Sequence, residues 1–234
     1  MPEEKKEFKY PSQVTETFDD ANFHIKYCIT FIKKYLKGDV AEIGAGCGSF
    51  TRHFLNKEIN TLTLTEKDQK NFKILNEKYS GKQNIFVTKE SIFELQKQFD
   101  VVMYLHVLEH IKEDKKEILD ATKKIKKNGI LIVMAPAHQK MYSNLDRHVG
   151  HFRRYEKDFF DNNFPLLKKI EFKFLDSSGY ILYKLNKLFF KNEKYPSKLK
   201  IFIWDKIFTP ISAILDFLLG YKIGKCILAI YKKV

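Results

Sequence analysis

Two groups of residues in this sequence have the types and spacing to do chemistry. The first is Glu42-Ile43-Gly44-Ala45-Gly46-Cys47-Gly48. Glycines at alternate positions let a backbone turn tightly and come close to a ligand. The first N–H groups of a following helix then remain free for a carboxylate or phosphate. Glu66 comes 20 residues after Gly46, at the end of the next apolar run. An acidic side chain there can accept hydrogen bonds from both hydroxyls of a ribose. The pair describes a site for a nucleoside-type cofactor. A phosphate-binding P-loop needs Gly-Lys-Ser/Thr, and Gly48-Ser49-Phe50 has no lysine. The dinucleotide fingerprint is G-x-G-x-x-G, and Ser49 holds the place of its third glycine. The remaining pattern is G-x-G-x-G with an acidic residue two positions before the first glycine.

The second group lies in residues 136–155, where three histidines, three arginines and Asp146 follow directly on an apolar run. Histidine titrates near neutral pH and suits a general base for an oxygen nucleophile. His151 and His138 are the candidates, with Asp146 as orienting partner. Tyr142, Arg153, Arg154 and Tyr155 are the candidates for holding the acceptor. The bland alternative is that His151 and Arg154 pin this segment to the body of the fold by salt bridges. Of His138, His148 and His151, only the last two are spaced as a helical ligand pair, and no metal site is expected.

The elements that must position these residues alternate. A helical pattern runs from Asp19-Asp20 through Ala21, Ile25, Cys28, Ile32 and Leu36 to Gly38. Val40–Ile43 reads as a buried strand feeding the glycine turn. Helix is predicted over 50–55, 71–79 and 111–127, with Asn128-Gly129 as its stop. Strand is predicted over 61–65, 85–88, 99–105 and 130–134. Strands alternating with helices predict an α/β fold, a Rossmann-like and mostly parallel sheet with helices on both faces. The strand C-termini then share one edge, where such sheets bind ligands. A strand over 169–175, ended by Ser177-Ser178-Gly179, an apolar and basic helical insertion over 180–220, and a last strand over 224–232 complete the chain. The expected organisation is one domain: an N-terminal arm and helix (1–37), a cofactor-binding core (38–136), an acceptor lid (137–165), the insertion and the last strand.

Taken with Glu66, the G-x-G-x-G turn resembles motif I of class I S-adenosylmethionine-dependent methyltransferases. The likeness continues. Asn84–Ser91 resembles the third strand and adenine-contact loop. Phe99-Asp100-Val101-Val102 followed by Leu105-His106-Val107-Leu108-Glu109-His110 resembles the fourth strand and "LEH" motif of the type 11/12 group. Residues 119–136 resemble the next helix and strand, Ala21-Asn22-Phe23 a helix that closes over the cofactor, and 224–232 an antiparallel last strand. The resemblance implies S-adenosyl-L-methionine as cofactor. Gly44, Ala45, Gly46 and Gly48 would admit its methionine part, Glu42 its ammonium and Glu66 its ribose. Glu90, Ser91 and Ile92 would border the adenine, although the family usually has Asp at the position of Glu90. Leu105 and His106 would lie near the sulfonium, and His110 would be a structural cap or packing residue. Tyr142 to Tyr155 resembles a bacterial subgroup associated with cell-surface glycan or lipid-carrier pathways, which implies a small or lipid/glycan-linked acceptor, methylated at oxygen.

Composition sets the outer limits. The 234 residues are 44% hydrophobic and 30% charged, with 21 Phe and 12 Tyr, the balance of a folded globular chain. No apolar run approaches the ~18–20 residues of a membrane span, and MPEEKKEFKY does not read as a signal peptide. Three cysteines without C-x-x-C spacing fit a reducing, cytoplasmic compartment. The net charge of +13 is mostly lysine, which codon bias explains as readily as an anionic partner. No nucleic-acid partner is expected, because no Asn/Asp-Pro-Pro-Tyr type motif follows the fourth strand. Within 180–220, Trp204 and Phe189, Phe202, Phe208 and Phe217 lie beside Lys194, Lys198, Lys200 and Lys206. A cap on the core or a homodimer interface is one reading of this segment. A peripheral membrane surface admitting a lipid-linked substrate is the other. The alternative of another class is a membrane-surface binding module that keeps the cofactor fold without turnover.

Overall fold

The computed structural model of the chain describes residues 21–164, 166–189 and 197–234. The polar N-terminal arm, the Asp19-Asp20 helix start and Lys194 lie outside the described residues. Seven strands build one sheet: β1 (Gly38–Ile43), β2 (Ile59–Thr65), β3 (Ile85–Thr88), β4 (Phe99–Leu105), β5 (Ile125–Pro136), β6 (Leu167–Leu175) and β7 (Cys226–Lys233). Their order is β3-β2-β1-β4-β5-β7-β6. β1 to β5 pair in parallel, and β7 slots antiparallel between β5 and β6. This is the expected Rossmann-like, mostly parallel sheet. The run Cys226–Tyr231 is apolar at every position because β7 is interior to the sheet and covered on both faces.

The helices are α1 (Asn22–Ile32), α2 (Thr51–Phe54), α3 (Gln69–Tyr79), α4 (Asp114–Lys123), α5 (Asn144–His148), α6 (Lys157–Asn162), α7 (Ser177–Phe189), α8 (Lys198–Ile203) and α9 (Thr209–Leu218). The pleat sends alternate strand residues to opposite faces, and each face has its own core. Val40, Leu62, Val101, Ile132 and Leu228 lie on one face, where Ile25, Cys28 and Ile32 of α1 cover them. Ala41, Val102, Leu131, Ile227 and Phe160 lie on the other. β1 has β2 on one side and β4 on the other, so the chain order reverses between β1 and β4. A crevice opens outside the carboxyl ends of strands at such a switch point.

Several boundaries differ from the sequence expectation: the first helix ends at Ile32, and Gly38, expected to close it, opens β1 instead. Helix α4 ends at Lys123, and β5 begins at Ile125, so Asn128-Gly129 lies inside the strand rather than ending a helix. The β4–β5 register shifts between Phe99↔Ile125 and Val101↔Ile130, and Asn128 has φ 64°. The pair that reads as a helix stop is a β-bulge. Ser177-Ser178-Gly179 does end β6, but it also forms the first turn of α7.

Candidate active site

A single cavity of about 1810 Å³ runs from the glycine turn across the ends of β1 and β4 to the segment after β5. At its first end, Gly44 and Gly46 have φ 66° and 58°. A Cβ on Gly46 would meet nothing within 4 Å, so that face of the turn is open towards a ligand. The loop is held from below by Ala45, whose N–H donates to the Thr65 carbonyl at 2.8 Å, and by Gly46, whose N–H donates to Glu66 Oε2 at 2.8 Å. Asp68 N–H donates to the other Glu66 oxygen at 2.7 Å. Glu66 therefore faces the cavity in a fixed orientation, and burial raises its pKa.

Glu42 lies on the cavity floor and is 2% exposed. The Thr51 hydroxyl donates to its Oε2 at 2.5 Å. Burial pushes its pKa up to about 8, against the pull of Thr51 and with a push from Glu66. A nearby cation would reverse that shift. Ala45, Ser91, Leu105 and His106 also line the cavity.

At the far end, α5 is opened by a capping box in which Ser143 and Asp146 bond each other's backbone. Asp146 is buried and receives Arg154 on both oxygens at 2.9 Å and His151 Nδ1 at 2.8 Å. Burial would raise the Asp146 pKa, but His151 and Arg154 outweigh it and hold the carboxyl well below the usual range. With Nδ1 committed to Asp146, His151 is left with Nε2, 4.0 Å from Glu109 Oε1. Phe152 N–H donates to the Glu109 carbonyl at 2.8 Å, which fastens the His151 segment over the turn Leu108–His110. His106 Nδ1 stands 3.5 Å from the same carboxylate. Burial alone would lower the His106 pKa, but Cys226 and Glu109 push it up to about 10.

Of the residues singled out in the sequence, Glu42, Gly44, Ala45, Gly46, Glu66, Ser91, Leu105, His106, Asp146, His151 and Arg154 come together around this cavity. Gly48, Glu90, Ile92, His138, Tyr142, Arg153 and Tyr155 are not among its lining residues. Gly48 has φ 82°, and its missing Cβ makes room for the Tyr79 ring of α3. Glu90 is exposed, with its N–H donated to Thr88 Oγ1, and Ile92 is core. His138 is not a base at this cavity: Nε2 lies 2.9 Å from the Gly224 carbonyl and the ring stacks on Phe174. Tyr142 donates to the His151 carbonyl, Arg153 pairs with Asp114, and buried Tyr155 donates to the Leu108 carbonyl. His138, Arg153 and Tyr155 thus fasten the lid segment to the body of the fold, and Tyr142 braces it from within.

The sequence assigns no role to His24, places Glu109 only as part of the "LEH" motif, and gives Trp204 to a core cap, a dimer interface or a membrane surface. All three line the cavity. His24, from α1, lies 4.6 Å from Trp204 ring to ring, and burial lowers its pKa to about 4. Trp204 is half-buried, and its indole N–H donates to Asp176 at 3.1 Å. Leu182, Tyr183, Ile201 and Phe208 line the cavity beside it, so the insertion forms one of its walls.

Residues 41–131 match the family described as a methyltransferase domain. No curated protein matches the chain in sequence. Among solved structures the fold is similar to N-methyltransferase NodS from Bradyrhizobium japonicum, in complex with S-adenosyl-L-homocysteine. Identity is 12%, with 97% of this chain and 93% of that chain covered and a TM-score of 0.58. An S-adenosylmethionine-dependent methyltransferase from Clostridium acetobutylicum is similar at 12% identity, covering 95% and 97%, with a TM-score of 0.59. Coclaurine N-methyltransferase bound to N-methylheliamine and S-adenosyl-L-homocysteine is similar at 15% identity, covering 90% and 72%, with a TM-score of 0.59.

Proposed function

We propose, from the premise that this chain carries a class I methyltransferase domain, that it moves the methyl group of S-adenosyl-L-methionine to an oxygen of a small or lipid- or glycan-linked acceptor. The observation that carries this reading is the continuity of one cavity from the Gly44–Gly46 turn and Glu66 to the Glu109, His110 and His151 side chains. Both reactants fit in one space, with the ends of β1 and β4 between them.

The chain's own groups divide the work by position. Glu66 takes the ribose hydroxyls, and Glu42 takes the ammonium of the methionine part. The open face of Gly46 lets the cofactor lie against the backbone. The bound cofactor would supply a methyl group already activated on sulfur, which the acceptor oxygen would displace in line, with the electron pair of the broken carbon–sulfur bond left on sulfur. Alignment of two bound partners contributes ~7–11 kcal/mol to such a step. The acceptor hydroxyl loses its proton at the His151 end, where Asp146 fixes the imidazole with Nε2 turned away from it. His106, whose pKa Cys226 and Glu109 push up against the pull of burial, lines the same space and can donate a hydrogen bond to an acceptor oxygen as negative charge develops on it.

A lipid carrier for the acceptor is supported by α9, which is built inside out. Its buried residues are Thr209, Ser212 and Asp216. Asp216 accepts from the N–H groups of Asp176 and Ser177 and from the Tyr27 hydroxyl. The outer face carries Ile211, Ile214, Phe217 and Leu218, the last two 70% exposed. Polar groups inside and large apolar groups outside suit a helix resting in a lipid headgroup layer, with Lys198 and Lys200 exposed on neighbouring α8. No helix among the described residues is long and apolar enough to cross a membrane.

The test is incubation of the full chain with methyl-labelled S-adenosyl-L-methionine and a mixed polyprenol-glycan fraction. Label on oxygen in the organic phase is expected. Label found only on nitrogen, or release of the demethylated cofactor that no fraction stimulates, would overturn the proposal.

A further inference from the structure

We propose that Glu109, His110 and His151 form a binding site for one divalent first-row transition-metal ion at the acceptor end of the cavity. Each offers one ligand atom, and these atoms all lie within 4.8 Å of one another. Ligands held ~2.0–2.2 Å from one cation stand roughly 3–4 Å apart. The 4.0 Å between His151 Nε2 and Glu109 Oε1 already meets that spacing, and the widest pair closes by a small side-chain rotation.

Three further observations point to a cation. Glu109 is 1% exposed, and neither carboxylate oxygen has a hydrogen-bond partner among the described residues. A buried carboxylate in that condition is costly unless something cationic meets it. Its near neighbour His106 stands at ion-pair distance, 3.5 Å, but makes no hydrogen bond to it, so both oxygens keep their lone pairs for a cation. Secondly, His151 has the outer shell of a metal ligand. Its Nδ1 bonds Asp146, which Arg154 in turn holds on both oxygens. A carboxylate behind a ligating histidine fixes the ring and leaves the other nitrogen for the metal. Thirdly, the His110 ring meets the His151 ring edge-on at 4.6 Å, which sets the two imidazoles side by side facing Glu109. Two imidazoles and one carboxylate suit Zn²⁺, Mn²⁺ or Fe²⁺ better than Ca²⁺ or Mg²⁺, which favour all-oxygen shells.

All three residues line the cavity, so coordination positions of the ion remain open to it. An oxygen of the acceptor can take one of them. That role rests on the function proposed above, whereas the site itself is tested without acceptor or cofactor. A metal-bound hydroxyl is more acidic than a free one and would release its proton to water in the cavity, because with the ion bound His151 Nε2 is a ligand and not the base.

The experiment uses the full chain, stripped with chelator and then dialysed to equilibrium against Zn²⁺ or Mn²⁺ alone, with bound metal measured per chain. One ion per chain is expected. His151→Ala and Glu109→Gln should weaken binding by more than the ~10–100-fold that loss of an outer-shell partner costs, and Asp146→Asn by about that much. His148→Ala, at an exposed residue of α5, should leave binding unchanged. S-adenosyl-L-methionine affinity, measured by calorimetry on the same samples, reports separately on the cofactor end. If Glu109→Gln fails to fold, Co²⁺ added to the wild type decides, because imidazole ligation shifts its visible bands from those of the aquo ion. Sub-stoichiometric binding, equal binding by His151→Ala and the wild type, or an aquo-like Co²⁺ spectrum would overturn the site. Turnover that is metal-independent yet lost in His151→Ala would do so as well, and would leave His151 as a general base.

Discussion

Glu42 should make the empty protein less stable as the pH rises from 5 to 8. Its carboxyl is 2% exposed, and its titration moves from 4.5 to about 8, chiefly through burial. Over that window the folded chain holds a proton that the unfolded chain has released. Stability from this group is therefore fully present below the unfolded value and is lost as pH climbs through the folded one. The full shift corresponds to about 5 kcal/mol at 1.36 kcal/mol per unit, with about 3 kcal/mol of the loss falling between pH 5 and 7. Glu42→Gln keeps the shape and the bond from Thr51 but carries no titratable proton. The measurement is urea unfolding of cofactor-free wild type and Glu42→Gln at several pH values, read as the difference between them. Taking the difference matters because His24 and His110, both lowered to about 4 by burial, give an opposite slope between pH 4 and 6.5. The wild type should lose ground to the variant by about 3 kcal/mol from pH 5 to 7. An ammonium-bearing ligand should remove the difference by stabilising the carboxylate. A flat difference, within ~0.5 kcal/mol, would refute the burial of an uncompensated acid on the cavity floor.

Other outcomes follow from the same geometry. Gly48→Ala, at φ 82° with a Cβ only 2.6 Å from the Tyr79 ring, should cost ~1–3 kcal/mol or more in thermal or urea unfolding. Gly46→Ala, with open space around its Cβ, should cost less stability, ~1–2 kcal/mol, but weaken cofactor binding in calorimetry. Asp216→Ala leaves three donors without their acceptor and should lower stability by at least ~2–3 kcal/mol. In flotation with anionic vesicles the full chain should rise with the lipid at low salt, and a Phe217→Ser, Ile214→Ser double variant should not. A chain that stays soluble at low salt and runs as a stable dimer on sizing would give that apolar face to a second copy instead.

The cofactor end was the more legible part of the sequence because it depends on local rules. Alternating glycines and an acid at the next strand end need only a βαβ unit around them, and Gly44, Gly46 and Glu66 meet where spacing placed them. The mostly parallel sheet also follows from alternation, but its strand order does not, and Asn128-Gly129 misleads because a β-bulge and a helix stop both use a positive-φ residue. The acceptor end was harder. His151, Asp146 and Arg154 do meet, but His138, Tyr142 and Tyr155 belong to the same short stretch and turn into packing. Which way a loop side chain faces is set by long-range contacts, such as Phe152 N–H on the Glu109 carbonyl, that no local pattern contains. Glu109 itself was in view as part of a motif. Its cluster with His110 and His151 required the loop after α5 to cross back over the β4 end. Composition alone does not separate Trp204 and Phe208, which line the cavity, from Ile214 and Phe217 of α9, which face outward because the polar side of that helix is buried.

The most direct measurement is calorimetric titration of the full chain with S-adenosyl-L-methionine, beside NAD and beside Glu66→Ala. One cofactor per chain is expected, with no comparable binding of NAD and a Glu66→Ala affinity about 10- to 150-fold lower, the worth of a charge-assisted hydrogen bond of ~1.5–3 kcal/mol. No binding by the wild type, tighter binding of NAD, or an affinity untouched by Glu66→Ala would contradict this expectation.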